Sequence, residues 1–209
     1  MSNLNKLFFT FEGIEGSGKS TIINIVYNEF LKRGYDIFLT REPGGNNLIF
    51  AEKIRKVILE DENITPLTEL FLFEASRVEH LDKIIIPNLK QGKIVLCDRF
   101  ADSTLVYQKS KGIDIRSIEF LNKIATNNFF PTKVFILDIE PEIALNRLKI
   151  NKNREINKFD KENIFFHKKI RDEYLKLVKK NKEKYILINA NQEKEKVSED
   201  IIKILEKVF

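Results

Sequence analysis

The stretch LFFTFEGIEGSGKST, residues 7–21, decides the fold. Leu7, Phe8, Phe9 and Phe11 form an apolar, β-prone run, and Ile22, Ile23, Val26, Phe30 and Leu31 recur at helical spacing after it. Between them Gly13, Gly18, Lys19 and Ser20 fit the pattern G-x-x-x-x-G-K-[ST]. A strand, a glycine-rich turn and the opening of a helix are what a polyphosphate needs. The glycines let the backbone turn tightly, and consecutive N–H groups at a helix start make an anion nest. Lys19 is expected to reach the outer phosphates and Ser20 to put its hydroxyl on a magnesium ion, with Gly13, Glu15, Gly16, Ser17, Gly18 and Thr21 around the phosphate chain. An ordinary glycine-rich strand-to-helix turn is the competing reading, and the flanking strand and helix weigh against it.

A chain of 209 residues with 43% hydrophobic and 32% charged residues suits one α/β domain with a covered sheet. No run of about 18 apolar residues or secretory leader pattern is present, so neither a membrane span nor export is expected and the cytoplasm is the expected compartment. The single cysteine, Cys97, lies in the apolar run IVLC and reads as a small core hydrophobe. A net charge of +5 is compatible with nucleic acid, with a polyphosphate substrate or with a Lys- and Asn-heavy composition. The positive charge is densest in 149–184, with no stripe of stacking aromatics, so nucleic acid ranks last.

Gly34 reads as the cap of the first helix and Asp36–Thr40 as the second strand, a parallel neighbour of the first. Arg41-Glu42-Pro43-Gly44-Gly45 then breaks the pattern at the carboxyl end of that strand, where open α/β sheets keep ligands. Residues 47–61 form an amphipathic helix with Ala51, Ile54, Val57 and Ile58 on one side. Thr65-Pro66 caps and starts a helix in which Phe73 and Arg77, four apart, share a face. They could hold a flat base and an anion, or simply be core and solvated surface. Residues 82–91 continue as helix, with Pro87 marking a kink and Gly92 a cap. Lys93–Cys97, the third strand, delivers Asp98 and Arg99: a second magnesium contact in the manner of a Walker-B aspartate, and a fork for phosphate. Ser103, Thr104, Tyr107 and Gln108 follow on a helical segment and suit a base and sugar. Further elements are a helix at 115–126, a strand at 134–138, a helix from 142, a helix at 162–181, a strand at 185–188 and a closing helix at 195–208. The polar stretch near 149–161 reads as a mobile lid with Arg147, Arg154 and Lys158 as cations, against the alternative of a solvated linker.

Taken together, FEGIEGSGKST, TREPGG at 40–45, LFEASRVEHL at 72–81 and DRFADSTLVYQ at 98–108 resemble the thymidylate kinase family, from about residue 6 onward. The resemblance implies a P-loop nucleoside-monophosphate kinase: a five-stranded parallel sheet with helices on both faces, usually homodimeric, moving the γ-phosphoryl of ATP to dTMP to give dTDP. It further implies that Phe73 stacks on thymine, Arg77 bonds its carbonyl edge, Ser103 and Gln108 lie near the base, and Tyr107 packs on the deoxyribose. Glu12 and Arg41 would lie on the acceptor side, and Arg99 would clamp phosphate. The phosphate loop has no arginine among Ile14, Glu15, Gly16 and Ser17, which resembles the bacterial kind with its transition-state cation in the lid. The lid, NREINKFDKEN, carries Lys158 where relatives usually have arginine, so Lys158 or Arg154 supplies that charge.

The expected machinery is therefore Lys19, Arg99, Arg154 and Lys158 around the transferred group, with magnesium on Ser20 and Asp98, and small molecules as the only partners apart from a second copy of the chain. Another P-loop nucleotide or nucleoside kinase, or a non-catalytic nucleotide-binding switch, are the rival readings.

Overall fold

The computed structural model describes residues 7–45, 48–150 and 157–209. Its strands are β1 (Phe8–Glu12), β2 (Ile37–Arg41), β3 (Ile94–Asp98), β4 (Lys133–Asp138) and β5 (Tyr185–Asn189). They form one parallel sheet in the order β2-β3-β1-β4-β5. Parallel strands need crossovers, and here these include helices α1 (Lys19–Lys32), α2 (Ile49–Glu60), α3 (Pro66–His80), α4 (Ile86–Lys90), α5 (Ala101–Ser110), α6 (Ile115–Thr126), α7 (Pro141–Ile150) and α8 (Ile164–Lys180); α9 (Lys194–Leu205) follows the last strand. Among the described residues no helix is long and apolar enough to cross a membrane.

β2 is parallel to β1, as expected, but it is not its neighbour: β3 is inserted between them. The chain fills one side of β1 with β3 and β2 and the other with β4 and β5. The connection out of β1 runs to the β3–β2 side and the connection out of β3 to the β4–β5 side, so the two leave in opposite senses and a crevice opens at the carboxyl ends of these neighbouring strands. That is where the phosphate loop lies. β1 is buried along its whole length. Phe9 and Phe11 join Val26 and Phe30 on one face, while Phe8 on the other packs at 5.1 Å edge-to-face on Phe100 and at 6.0 Å on Phe129. Each such ring contributes roughly 1.5–3 kcal/mol when taken out of water. Cys97 is sealed in the same layer as Phe8, its thiol donating to the Arg99 carbonyl (3.0 Å).

Several local expectations hold. Gly34, at φ 85°, follows α1, and the Tyr35 N–H reaches back to the Phe30 carbonyl (3.1 Å), a bond only a left-handed residue permits at this point. Thr65 accepts from the Thr68 N–H with Pro66 at the first helical position of α3. Past α3 the helix widens into a π-helical turn at Leu81–Ile85, just before Pro87, which lacks an N–H and whose ring crowds the preceding turn. Others shift. Leu31 and Val57, expected on the buried stripes, are about half exposed because they sit at the edge of their helices' apolar faces. β2 and β3 each run one residue further than expected, carrying Arg41 and Asp98 as their last residues.

Arg154 and the rest of 151–156 lie outside the described residues. From Asn157 onward the chain makes a 3-10 turn, Lys158–Lys161, closed by a capping box between Asn157 and Asp160, with the Phe159 ring buried.

Candidate active site

The turn between β1 and α1 wraps the end of the sheet. Gly16 and Gly18 have φ 75° and 88°, a region where side chains are strained. Gly16 also lies so close to the Ala144 carbonyl that a Cβ would collide with it, which seats the loop directly on α7. Lys19 opens α1, and its ammonium folds back onto the Gly13 carbonyl (3.0 Å), the Ile14 carbonyl (2.7 Å) and the Ser17 hydroxyl (3.2 Å). Burial, then repulsion from Arg99, lowers its pKa to about 8, against the pull of Asp98, Glu15 and Glu12. Beside it the Ser20 hydroxyl donates to Asp98 Oδ2 at 2.6 Å. A hydroxyl and a carboxylate at this spacing are oxygen donors suited to magnesium, which keeps waters and phosphate oxygens for its remaining positions. Among the described residues no group of three or more His, Cys, Asp or Glu comes together that could hold a metal ion.

Arg99 follows β3 with φ 69°, a conformation that non-glycine residues keep only when the surroundings fix it. Its amide donates to the Phe11 carbonyl (3.0 Å), Nη1 to the Ser103 hydroxyl (3.0 Å) and Nη2 to Glu15 Oε1 (2.8 Å), and its guanidinium lies 5.2 Å over the Tyr107 ring. The Tyr107 hydroxyl donates to the same Glu15 carboxylate (2.9 and 2.7 Å). Burial raises the Glu15 pKa, but Arg99 and Lys19 outweigh it, and the carboxyl is held below its ordinary range.

These groups open onto a cavity of about 480 Å³. Gly16, Gly18, Lys19, Ser20 and Thr21 of the phosphate loop and α1 line it together with the rings of Phe73, Tyr107 and Phe159. Arg41, Arg99 and Ser103 also border it, as do Glu15 and Asp98. Gly13 and Ser17 form the back of the loop, where Ser17 and the Gly13 carbonyl hold Lys19.

Four other expected residues stand elsewhere. Glu12 is fully buried beneath the site, accepting from the Phe100 N–H (2.8 Å), Ser103 (2.5 Å) and Tyr174 (2.8 Å), so in this arrangement it meets the cavity through Ser103. Arg77 does share the face of Phe73 but is 1% exposed. Nε donates to Glu42 (3.0 Å), Nη1 to Glu74 (2.7 Å) and Asn122 (2.9 Å), and Nη2 to Thr104 (2.7 Å), which itself lines the cavity. Gln108 is turned away, its amide donating to Glu69 (2.6 Å). Lys158 faces neither phosphate loop nor cavity: Nζ pairs with Glu69 (2.6 Å) and reaches the Asp61 carbonyl (3.1 Å). The cause lies in Glu69, a carboxylate 1% exposed, which draws Lys111 (2.6 Å) as well as Lys158.

The cavity wall also includes Arg55, Leu59 and Phe159, to which the sequence reading assigned no role. Arg55 Nη1 donates to the Pro43 carbonyl (3.1 Å). On an amphipathic helix an arginine beside the apolar stripe looks like solvated surface, and only the docking of α2 beside the 41–45 loop turns it inward.

An amide-lined phosphate cradle with its lysine, a Ser–Asp pair beside it and a crevice walled by aromatic rings define a P-loop nucleotide phosphotransferase. The family model described as thymidylate kinase matches residues 11–201. The thymidylate kinase of Staphylococcus epidermidis is 45% identical over 194 residues, covering 92% of this chain and 94% of that protein, and the thymidylate kinase of Clostridium novyi (strain NT) is 43% identical over 197 residues, covering 93% and 95%. The crystal structure of thymidylate kinase from Ehrlichia chaffeensis superposes with a TM-score of 0.76 at 34% identity, covering 95% of this chain and 97% of that one. The chain belongs to the thymidylate kinase family.

Proposed function

We propose that this protein transfers the γ-phosphoryl group of ATP to dTMP, releasing ADP and dTDP. The observation that carries the reading is the continuous cavity from the Lys19 cradle to the Phe73, Tyr107 and Phe159 rings, with Arg99 at its border. A dTMP phosphate oxygen, ionised at neutral pH, attacks the γ-phosphorus; the bond from that phosphorus to the β–γ bridging oxygen breaks, and ADP leaves with the electron pair. Such a reaction asks the protein for alignment and charge rather than covalent chemistry. The amides of residues 13–19 and the Lys19 ammonium hold the donor, and Arg99 bridges donor and acceptor phosphates. Phe73 supplies a plate for the pyrimidine and Tyr107 packs on the sugar, with Ser103, and Glu12 beneath it, fixing that end. Arg41 stands on the acceptor side, and Arg77 and Gln108 shape the base end from behind. Magnesium, held by Ser20 and Asp98, would neutralise the phosphate oxygens. Lys158 would have to leave Glu69 to meet phosphate, and Arg154 shares the lid assignment with it. The reading also takes the chain as one kinase domain with a lid near 149–161, paired as a homodimer in the cytoplasm and acting on small molecules rather than nucleic acid.

A coupled assay of ADP release with dTMP, dUMP, dCMP and UMP as acceptors tests this. Turnover is expected with dTMP foremost. Preference for another acceptor would move the protein to another kinase activity, and no ADP release with any acceptor would leave a nucleotide-binding switch.

A further inference from the structure

The TREPGG loop is built around one buried imidazole. His80, on the last turn of α3, is fully buried; Nδ1 lies 3.0 Å from Glu42 Oε1 and Nε2 2.7 Å from the Thr40 hydroxyl. A carboxylate only accepts, so Nδ1 carries the proton of the first bond, and the Thr40 hydroxyl satisfies the other nitrogen. Gly45 rests against the same ring, so closely that a Cβ there would overlap it, and its φ of 132° is one that side chains rarely adopt. One turn earlier the Ser76 hydroxyl accepts from the Gly44 N–H (3.0 Å). The first, third and last residues of this loop, Thr40, Glu42 and Gly45, are therefore fixed to His80. The residues between and beside them, Arg41 and Pro43, face the cavity.

The geometry points to His80 as a positioning residue for the acceptor side of the site. α3 presents Phe73 to the cavity directly, and through His80 it sets the height of the loop that presents Arg41 and Pro43. One helix thus fixes both the ring wall and the cationic wall, seven residues apart along it. The donor cradle hangs on β1, α1 and α7 and makes none of these bonds. This rests on the proposed acceptor role of the cavity, and it assigns His80 no contact with substrate.

The test uses the full chain with His80→Ala, His80→Gln and the near-isosteric Thr40→Val. Binding of dTMP and of ATP is measured by titration calorimetry, turnover by ADP release, and loop protection by hydrogen exchange of the amides in 40–45. His80→Ala is expected to weaken dTMP binding roughly tenfold, a fraction of the about 100-fold that a misplacement of about 1 Å can cost. ATP binding should stay within about twofold, and the Gly44 and Gly45 amides should exchange faster. His80→Gln, which keeps a donor and an acceptor, should recover part of the loss, and Thr40→Val should show a smaller change of the same kind should His80→Ala fail to fold. Equal weakening of both nucleotides, or a lowered melting temperature with dTMP binding and loop exchange unchanged, overturns the assignment. A parent protein that releases no ADP with dTMP overturns the proposed activity, whereas the exchange rates still decide the role of His80.

Discussion

Arg99 is held by protein groups: its guanidinium bonds Glu15 and Ser103 and lies over Tyr107, so its charge is aimed and partly desolvated by the fold. Preset donors of this kind act on the charge that builds in the transition state. Arg99→Ala is expected to cut turnover at least ~100-fold; a variant turning over near the parental rate would remove Arg99 from the reaction. Glu12 makes a different statement. Burial, with Asp102 adding and Arg99, Ser103 and Tyr174 opposing, raises its carboxyl from 4.5 to about 7. The unfolded chain loses that proton above about pH 4.5 while the folded protein keeps it to about pH 7, so stability falls as pH rises through this window and levels off above it. The cost at pH 8 is on the order of 3 kcal/mol. Glu12→Gln, which cannot ionise, should therefore gain in melting temperature relative to the parent as pH is raised from 5 to 8. Melting curves whose difference stays constant across that range would contradict the buried-acid account.

At the level of elements, the site is a set of seams. The phosphate loop is seated on α7 through Gly16, where there is no room for a side chain and where φ is positive. Gly16→Ala should push the loop off α7, with a strain on the order of 1–3 kcal/mol, and weaken ATP binding while leaving dTMP binding largely intact; equal Kd values for ATP in the two proteins would show the seam to be irrelevant. Which seams form was legible only where a residue type has one local reason to be present. Gly34 and the Thr65-Pro66 start belong to single turns, and β1, the phosphate loop and α1 lie consecutively in sequence, so all were readable. The sequence leaves Arg77 open between a ligand contact and a plain structural place and offers Lys158 as a lid cation, because Glu42, Asn122 and Glu69 are distant in sequence and nothing local marks them as partners. Those contacts span 35, 45 and 89 positions and exist only once α3 has docked. Arg55 went unassigned for the same reason.

Across the whole molecule, the order β2-β3-β1-β4-β5 sets the phosphate loop at the middle of the sheet, with the Asp98-Arg99 end of β3 on one side and Asp138 of β4 on the other. Continuous apolar runs and crossovers of helical length could show that the strands are buried and parallel, but not that β3 would insert beside β1, since that choice is made by which helix covers which face. The same arrangement gives the protein a built-in stopwatch. Cys97, the only sulfhydryl in the chain, lies in β3 between β1 and β2, fully buried, with burial pushing its thiol well above the ordinary range. An alkylating dye should therefore label it only when the middle of the sheet comes apart, at a rate that denaturant accelerates and bound nucleotide slows in proportion to occupancy. Quick labelling of a protein that keeps its melting temperature would mean that β3 breathes on its own; slow labelling would turn one sulfur atom into a direct reading of how often the catalytic scaffold opens.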